Sequence, residues 1–233
     1  MCTLNLGGHM GEHITITAAD GFTFDAYLAR PDGEVKGGLV VIQEIFGVNA
    51  HMREVCDGFA ADGYLSVAPA LYDRFEKDIQ LGYESDDVAR GREIRAEVGW
   101  DNAVQDLAAT AKLAAAGGKV GTIGYCWGGS LSFLCATRIP GVSGSVCYYG
   151  GQIADFKDET ASAPLLLQFG SADASIPSDS IASIRAAQPD AIIDVYDDAL
   201  HGFNCDRRGS YHAAHAETAR ARSVAFLGEH VAA

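Results

Sequence analysis

The segment Gly124-Tyr125-Cys126-Trp127-Gly128 has the Gly-x-nucleophile-x-Gly spacing of a nucleophile elbow, with cysteine in the nucleophile position. A nucleophile on a sharp turn between a strand and a helix sits in strained backbone, so the residues two positions away must be small. A β-rich run at 119–123 precedes the motif and a helix-forming run at 131–136 follows it. Free N–H groups at a helix N-terminus favour a thiolate and a developing oxyanion. The pattern predicts nucleophilic catalysis by Cys126; the alternative is an inert core cysteine in a glycine-rich junction.

Asp173 and His201 follow Cys126 in the order expected of a catalytic triad. Asp173 comes just after the apolar run 164–170, and His201 follows the apolar run 191–196. Open parallel sheets place catalytic groups in loops just past the carboxyl ends of their strands, where both residues fall. The histidine can take the thiol proton, and the aspartate can orient the imidazole. Taken singly, a turn-capping aspartate and a surface histidine are the commoner interpretations, but the order of all three favours catalysis.

Strand-like and helical patterns alternate along the chain, which is typical of an α/β fold. An antiparallel hairpin is expected around Asp20-Gly21. Strands are predicted at 14–17, 23–28, 38–43, 65–68, 119–123, 145–149, 165–169 and 191–196. Helices are predicted at about 51–62, 96–116, 128–137, 178–187 and 211–230, and the charge-rich stretch 72–99 is expected to be mostly solvated helix face and loop. We therefore expect one α/β domain over 1–233, with 1–12 as a flexible extension. Its sheet would be mostly parallel and about eight-stranded, with the hairpin at one edge and helices on both faces.

The chain resembles the dienelactone hydrolase family, also called carboxymethylenebutenolidases, which have the α/β-hydrolase fold. The resemblance runs from about residue 14 to 227 and rests on the motifs Gln43-Glu44-Ile45-Phe46-Gly47-Val48-Asn49, Gly124-Tyr125-Cys126-Trp127-Gly128-Gly129, Tyr148-Tyr149-Gly150, Gly170-Ser171-Ala172-Asp173 and His201-Gly202-Phe203. It implies that Cys126, Asp173 and His201 form the triad. It also implies an oxyanion hole made by the backbone N–H groups of Trp127 and Ile45.

The resemblance further implies that Glu44 lies near the thiol and takes its proton when substrate binds. The residues themselves agree in part, because Glu44 ends the strongly apolar strand predicted at 38–43 and falls at the sheet edge where active sites form. A carboxylate drawn into a partly apolar pocket could exchange a proton near neutral pH. The alternative is an ordinary solvated loop glutamate, which the neighbouring Ile45 and Phe46 make less attractive.

Substrate-binding residues are expected among the aromatic neighbours of these motifs, Phe46 and Phe203, and among arginines. The resemblance implies one arginine from the region 72–99, for which Arg90 and Arg92 are the candidates, and one shortly after the catalytic histidine. At that second position, four residues past His201, this chain has Cys205. Arg207 and Arg208 lie nearby but shifted, so the resemblance leaves the natural substrate open.

Composition limits the classes of partner. The formal net charge of −14 disfavours nucleic acid and anionic membrane surfaces. No apolar run approaches the ~18 residues needed to span a bilayer, and the N-terminal residues do not resemble a signal peptide. We expect no nucleic-acid or membrane partner, a small-molecule ester or lactone substrate and a cytoplasmic location. The sequence leaves the oligomeric state open, and a monomer is favoured.

The six cysteines contain no Cys-x-x-Cys pair, so reduced thiols are expected rather than a disulfide framework. His212 and His215 share one helix face but have no third ligand nearby in the sequence, and neither His13 nor His51 shows a partner. The sequence therefore predicts no metal and no cofactor.

These features together predict a cysteine-dependent carboxylic ester hydrolase that works through a thioester acyl-enzyme. Because a thiolate is itself a good leaving group, activated esters, enol lactones and thioesters are the expected substrates and peptides are not. The alternatives are an esterase or thioesterase acting on another small acyl substrate, a redox-sensing thiol protein, and a non-catalytic binding module.

Overall fold

A computed structural model describes residues 11–232 as an eight-stranded mixed sheet covered by helices. The strands are β1 (Glu12–Thr17), β2 (Thr23–Ala29), β3 (Gly37–Ile42), β4 (Tyr64–Pro69), β5 (Val120–Tyr125), β6 (Val142–Tyr148), β7 (Leu165–Gly170) and β8 (Ile192–Tyr196). Their order in the sheet is β1-β2-β4-β3-β5-β6-β7-β8. β2 pairs antiparallel with β1 and with β4, and all other pairs are parallel. All eight predicted strands are confirmed, with ends that differ by up to three residues.

The predicted hairpin joins β1 to β2. The N–H of Ala18 donates to the carbonyl of Phe22 at 2.8 Å, and Gly21 has a φ of +86°, a left-handed conformation that glycine adopts without strain. Residues 1–10 of the expected N-terminal extension lie outside the described residues, and Glu12 already belongs to β1.

The central strands are buried on both faces, which is typical of parallel strands covered by crossover helices. Every residue of β3, β4, β5 and β7 is buried. A Cβ on Gly121 would meet Leu227 and Val231 at the end of the chain, whereas one on Gly38 would collide with Ala114. Since Gly121 pairs with Leu39, the residue after Gly38, these two glycines face opposite sides. Helices therefore cover both faces, as predicted.

Within residues 11–232, seven α-helices connect or follow the strands. They are α1 (Ala50–Ala61), α2 (Ser85–Val98), α3 (Trp100–Ala114), α4 (Trp127–Arg138), α5 (Ile153–Phe156), α6 (Ser178–Ala187) and α7 (Ala213–His230). The ion pair Arg220–Asp62 joins α7 to the end of α1, and Arg138 contacts Asp101 at 3.5 Å between α4 and α3. Thus α1 and α7 share one face of the sheet, and α3 and α4 share the other.

The predicted helix 96–116 was wrong at its start, because two helices meet there. Gly99 has a φ of +72°, which interrupts the helical backbone between α2 and α3. The earlier helix α2 lies in the charge-rich stretch and begins with a capping box, in which the Glu84 and Asp87 side chains satisfy each other's backbone N–H groups. Within residues 11–232, no helix is long and apolar enough to cross a membrane.

Candidate active site

Four side chains that can act as nucleophile, acid or base follow the carboxyl ends of parallel strands. Glu44 comes after β3, Cys126 after β5, Asp173 after β7 and His201 after β8. Because parallel strands end at the same edge of a sheet, this topology collects them in one place.

Cys126 occupies a strained turn between β5 and α4. Its φ of +56° and ψ of −116° lie outside the regions that L-residues ordinarily adopt. A Cβ on Gly124 would collide with the carbonyl of Gly128, and one on Gly128 would collide with the carbonyls of Ile42 and Gln43. The two glycines of the motif are thus required by direct backbone contact, as the spacing predicts.

The start of α4 leaves donors next to the thiol. The N–H of Cys126 donates to the carbonyl of Tyr148 at 3.0 Å, which fixes the turn. Trp127 is the first residue of α4, so its N–H has no intrahelical acceptor, and the N–H of Ile45 donates to no described loop, turn or cap carbonyl. The Trp127 ring is buried against Tyr72, with ring centroids 5.8 Å apart, and this packing holds the helix start in place.

His201 joins Asp173 to the thiol. Its Nδ1 lies 2.7 Å from Oδ2 of Asp173, whose side chain is fully buried, and its ring lies close enough to the Cys126 thiol for that thiol to act on the pKa of the imidazole. Ser175 supports the pair, because its hydroxyl donates to the Asp173 Oδ1 at 2.6 Å and lies 3.2 Å from His201 Nδ1. Asp173, His201 and Cys126 therefore lie in series from a buried carboxylate to a half-buried thiol, and His201 and Cys126 line the same cavity.

The charges of Cys126, His201 and Asp173 stabilise one another. Burial lowers the pKa of His201, but negative charge on Cys126 and the hydrogen bond that the ring donates to Asp173 outweigh it and raise that pKa to about 10. Burial would raise the pKa of Asp173, yet hydrogen bonds from His201 and Ser175 hold it below its ordinary value. The imidazolium form is therefore favoured whenever Cys126 carries a thiolate.

Glu44 is buried and ion-paired, not a solvated loop residue. Its Oε1 accepts a hydrogen bond from Nη1 of Arg208 at 3.0 Å, and Oε2 is buried with no hydrogen-bond partner. The Arg208 guanidinium also lies over the Phe46 ring at 5.7 Å. Burial lowers the pKa of Arg208, but the negative charges of Glu44 and neighbouring groups outweigh this effect, so the pKa lies above its ordinary value.

A cavity of about 290 Å³ opens in front of Cys126 and His201. Among the predicted substrate-binding residues, Phe46 and Arg92 line it, together with the predicted oxyanion residue Ile45. Two further arginines, Arg95 and Arg208, also line it.

The other two predicted substrate-binding residues lie elsewhere. Arg90 pairs with Glu93 at 3.3 Å and stacks over Phe75, outside the cavity lining, because it points from a different face of α2. Phe203 is fully buried beside Tyr149 and Tyr196, so it supports the loop of His201 from below instead of facing a ligand.

Sequence reasoning missed Arg95 and Ser175 at this site, and it noted Arg208 only as lying near an expected position. Arg95 lies one turn beyond Arg92 on α2, and helical spacing from Arg92 would have indicated it. Arg208 reaches the site because Gly202, with a φ of +80°, lets the loop turn and has no side chain to collide with the guanidinium. The N–H of Ser175 donates to the side chain of Asp173, as in an Asx-turn. The position of Ser175 two residues after Asp173 could have indicated this contact.

The remaining thiols are unpaired. Cys56, Cys126, Cys135, Cys147 and Cys205 are free within residues 11–232, and Cys2 lies outside them. Cys205, found where an arginine was expected, is buried, and burial together with the charge of Glu44 raises its pKa to about 11.

His51 does have a partner, contrary to the sequence prediction. Its Nδ1 lies 3.2 Å from Oδ1 of Asp206, and with Cys205 these residues form a group whose ligand atoms lie within 4.8 Å of one another. The residue types suit zinc, but the carboxylate of Asp206 also contacts Arg207 at 3.4 Å. His212 and His215 stack on each other, and no described side chain adds a third ligand to them.

Comparison with known proteins points to one family. The sequence profile of the Dienelactone hydrolase family matches residues 24–231. A protein of Yersinia pestis named "Putative carboxymethylenebutenolidase" is 33% identical over 244 residues, covering 96% of this chain and 90% of its own length. The protein of the same name from Escherichia coli is 34% identical over 237 residues, covering 93% of this chain and 86% of its own.

A solved structure is similar over nearly the same extent. The crystal structure of a "Putative Dienelactone Hydrolase" from Klebsiella pneumoniae superposes with a TM-score of 0.82 at 30% identity, covering 94% of this chain and all of the other. The predicted α/β-hydrolase fold is thus confirmed.

Proposed function

The chain belongs to the dienelactone hydrolase family of carboxylic ester hydrolases, and from this premise we propose that it cleaves a lactone or activated ester with Cys126 as the nucleophile. The observation that carries this proposal is the contact chain from Cys126 through His201 to Asp173. A family member that lacked these contacts between Cys126, His201 and Asp173 would have no activated thiol at the elbow.

The first step is attack by the Cys126 thiolate on the ester carbonyl. A carbon–sulfur bond forms, and the carbonyl oxygen becomes an oxyanion facing the N–H groups of Trp127 and Ile45. Removing one such donor typically costs about 2.7–4 kcal/mol of transition-state stabilisation. The carbon–oxygen bond to the leaving group then breaks, and the departing enolate or alkoxide takes a proton from the His201 imidazolium.

The second step is hydrolysis of the thioester. Neutral His201, oriented by Asp173, takes a proton from water while the water oxygen attacks the acyl carbon. The tetrahedral intermediate expels the Cys126 thiolate and releases the acid, which restores the thiolate–imidazolium pair. Because the thiolate is also the better leaving group in the first intermediate, poor alkoxide or amine leaving groups return to substrate, and good leaving groups are selected.

We assign Glu44 as the acceptor of the thiol proton and Arg208 as the anchor of a substrate carboxylate. Before substrate binds, Cys126 is a thiol beside the His201 imidazolium, and transfer of the thiol proton to Glu44 produces the thiolate–imidazolium pair that begins the first step. Arg208 both lines the cavity and holds Oε1 of Glu44, so an incoming carboxylate competes for the same guanidinium. Oε2 of Glu44 already has no hydrogen-bond partner, and after release from Arg208 Oε1 has none either. Glu44 then gains a hydrogen bond by taking the proton of Cys126. The proton returns to the thiolate after the product leaves.

Two further expectations belong to this proposal. The five unpaired thiols support a reducing compartment, and we propose the cytoplasm. A redox-sensing role for Cys126 would need a resolving thiol, and Cys205, the candidate in the loop of His201, is buried.

Hydrolysis of 4-nitrophenyl acetate by wild type and by Cys126→Ala tests the nucleophile. The proposal expects turnover to fall to the uncatalysed rate in Cys126→Ala. Cys135→Ala, which removes a buried thiol from the same helix α4, should retain turnover. Undiminished turnover in Cys126→Ala would overturn the assignment.

A further inference from the structure

His51, Cys205 and Asp206 bring three metal-binding side chains together away from the catalytic cavity. One ligand atom of each lies within 4.8 Å of the other two, and among residues 11–232 this is the one group of histidine, cysteine and carboxylate side chains placed so closely. These three residues are not part of the cavity lining in front of Cys126. The group therefore takes no part in the proposed hydrolysis.

Two separate elements hold these side chains in place. His51 lies in the first turn of α1, which the side chain of Asn49 caps. Cys205 and Asp206 belong to the loop after β8, and the N–H of Cys205 donates to the carbonyl of Gly202 at 3.0 Å. Because a helix start and a hydrogen-bonded turn fix their backbone, little ordering is needed to bring the side chains onto one ion.

The ligand types and their spacing fit a tetrahedral zinc site. Imidazole nitrogen, thiolate sulfur and carboxylate oxygen are the donors that zinc takes in proteins, at about 2.0–2.3 Å, so two ligands of one ion lie roughly 3.3–3.8 Å apart. Nδ1 of His51 lies 3.2 Å from Oδ1 of Asp206, close to that range. Since the Cys205 sulfur is within 4.8 Å of both partners, small side-chain rotations complete the arrangement.

A fourth ligand can reach this position from solvent. Cys205 is fully buried, whereas His51 and Asp206 line a surface cavity of about 460 Å³. An ion between them has protein ligands on its inner side and water on its outer side. The charge also fits, because a thiolate and a carboxylate neutralise a divalent cation, and the whole chain carries a formal net charge of −14.

Arg207 does not block the position. Its Nε lies 3.4 Å from Oδ1 of Asp206, but its Nη2 contacts both carboxylate oxygens of Glu54, at 2.9 and 2.8 Å. The guanidinium therefore keeps an anionic partner when a metal ion takes Asp206.

We propose that His51, Cys205 and Asp206 form a zinc site that joins the loop of His201 to the start of α1. Zinc replaces the thiol proton of Cys205, which passes to solvent, and water supplies the fourth ligand. The ion connects two segments that are far apart in the sequence. Such a crosslink stabilises the folded chain, because the binding free energy of a metal that holds only the folded state adds to its stability.

A titration with Co²⁺, followed by displacement with Zn²⁺, tests the site. A thiolate ligand gives Co²⁺ a strong charge-transfer absorption that nitrogen and oxygen ligands do not give. The titration uses Cys126→Ala protein, so that the catalytic thiol cannot bind the ion. The absorption should saturate at one Co²⁺ per chain and disappear when Zn²⁺ is added.

Single changes added to Cys126→Ala assign the ligands. Cys205→Ala should abolish the absorption, and His51→Gln and Asp206→Asn should each weaken Co²⁺ affinity at least tenfold. Cys56→Ala is the matched control, because it removes another buried thiol, on α1, and it should leave the titration unchanged. The inference is overturned if no charge-transfer absorption appears, or if it persists undiminished in Cys205→Ala.

Thermal unfolding gives an independent measurement that does not depend on how well Cys205→Ala folds. At a free Zn²⁺ concentration of about 100 times its Kd, the Tm of Cys126→Ala protein should rise by roughly 5–10 °C. Asp206→Asn, whose side chain is half exposed, should lose most of this rise. An equal rise with and without Asp206→Asn would overturn the site. Neither measurement uses ester hydrolysis, so failure of the zinc site and failure of the proposed function are distinguished.

Discussion

Replacing Arg208 with glutamine should destabilise the protein strongly, because it leaves a buried carboxylate without its partner. The Glu44 side chain is 2% exposed and that of Arg208 is 19% exposed. In Arg208→Gln both oxygens of Glu44 lack a hydrogen bond, since Oε2 has none to begin with. Removing one partner of a buried pair costs about 3–5 kcal/mol, and the partial exposure of Arg208 places the expected loss near the lower end, about 3 kcal/mol.

Urea denaturation followed by circular dichroism measures this loss, with wild type, Arg208→Gln, Glu44→Gln and the double variant compared at one pH. A loss of about 3 kcal/mol corresponds to a fall in Tm of roughly 6–12 °C for a chain of this size. The double variant should regain most of the stability, because it contains no buried charge. The neighbouring Arg207→Gln is the control: its partner Glu54 is exposed, and only a small loss is expected.

Two results would refute this account of the pair. One is a loss below about 1 kcal/mol in Arg208→Gln, the range of exposed ion pairs. The other is a double variant as unstable as Arg208→Gln alone, which would show that lost packing of the guanidinium and not an unpaired Glu44 is responsible.

The other predictions concern the elbow and the triad. Asp173→Asn should lower kcat by on the order of 10³–10⁴-fold, because the imidazole loses the partner that orients it, with a folded protein as judged by circular dichroism. Cys126→Ser should lower the pKa of His201 from about 10, since the thiolate charge is lost, and an unchanged imidazole titration by NMR would contradict the coupling. In wild type, the raised pKa stabilises the fold fully below the unfolded value near 6.5, and this contribution is lost as pH rises through about 10. Gly128→Ala should cost about 1–3 kcal/mol in urea denaturation, because the new methyl group meets the carbonyl of Ile42.

The sheet could be predicted from the sequence because its strands are short apolar runs bounded by turns. β5 and β7 are wholly buried and stand out for that reason. The break between α2 and α3 was missed, since polar α2 has little apolar periodicity and its start depends on a cap made by Glu84 and Asp87.

At the site, the residues that follow strand ends were predictable, and those that reach it through loop geometry were not. Cys126, Asp173 and His201 each lie just past a parallel strand, so topology alone brings them together. Arg208 contacts a residue 164 positions away, through a loop that turns at Gly202. The pattern of residues in one sequence does not show which residues so far apart along the chain come into contact.

The central claim is that the acyl group passes through a thioester on Cys126. Acid quenching during turnover of 4-nitrophenyl butyrate, followed by intact mass spectrometry and peptide mapping, measures this intermediate directly. A thioester intermediate gives a mass increase of one butyryl group, located on the peptide of Cys126, removed by hydroxylamine and absent in Cys126→Ala. A butyryl group on any other residue that forms and decays at the turnover rate, or the same adduct in Cys126→Ala, would contradict it.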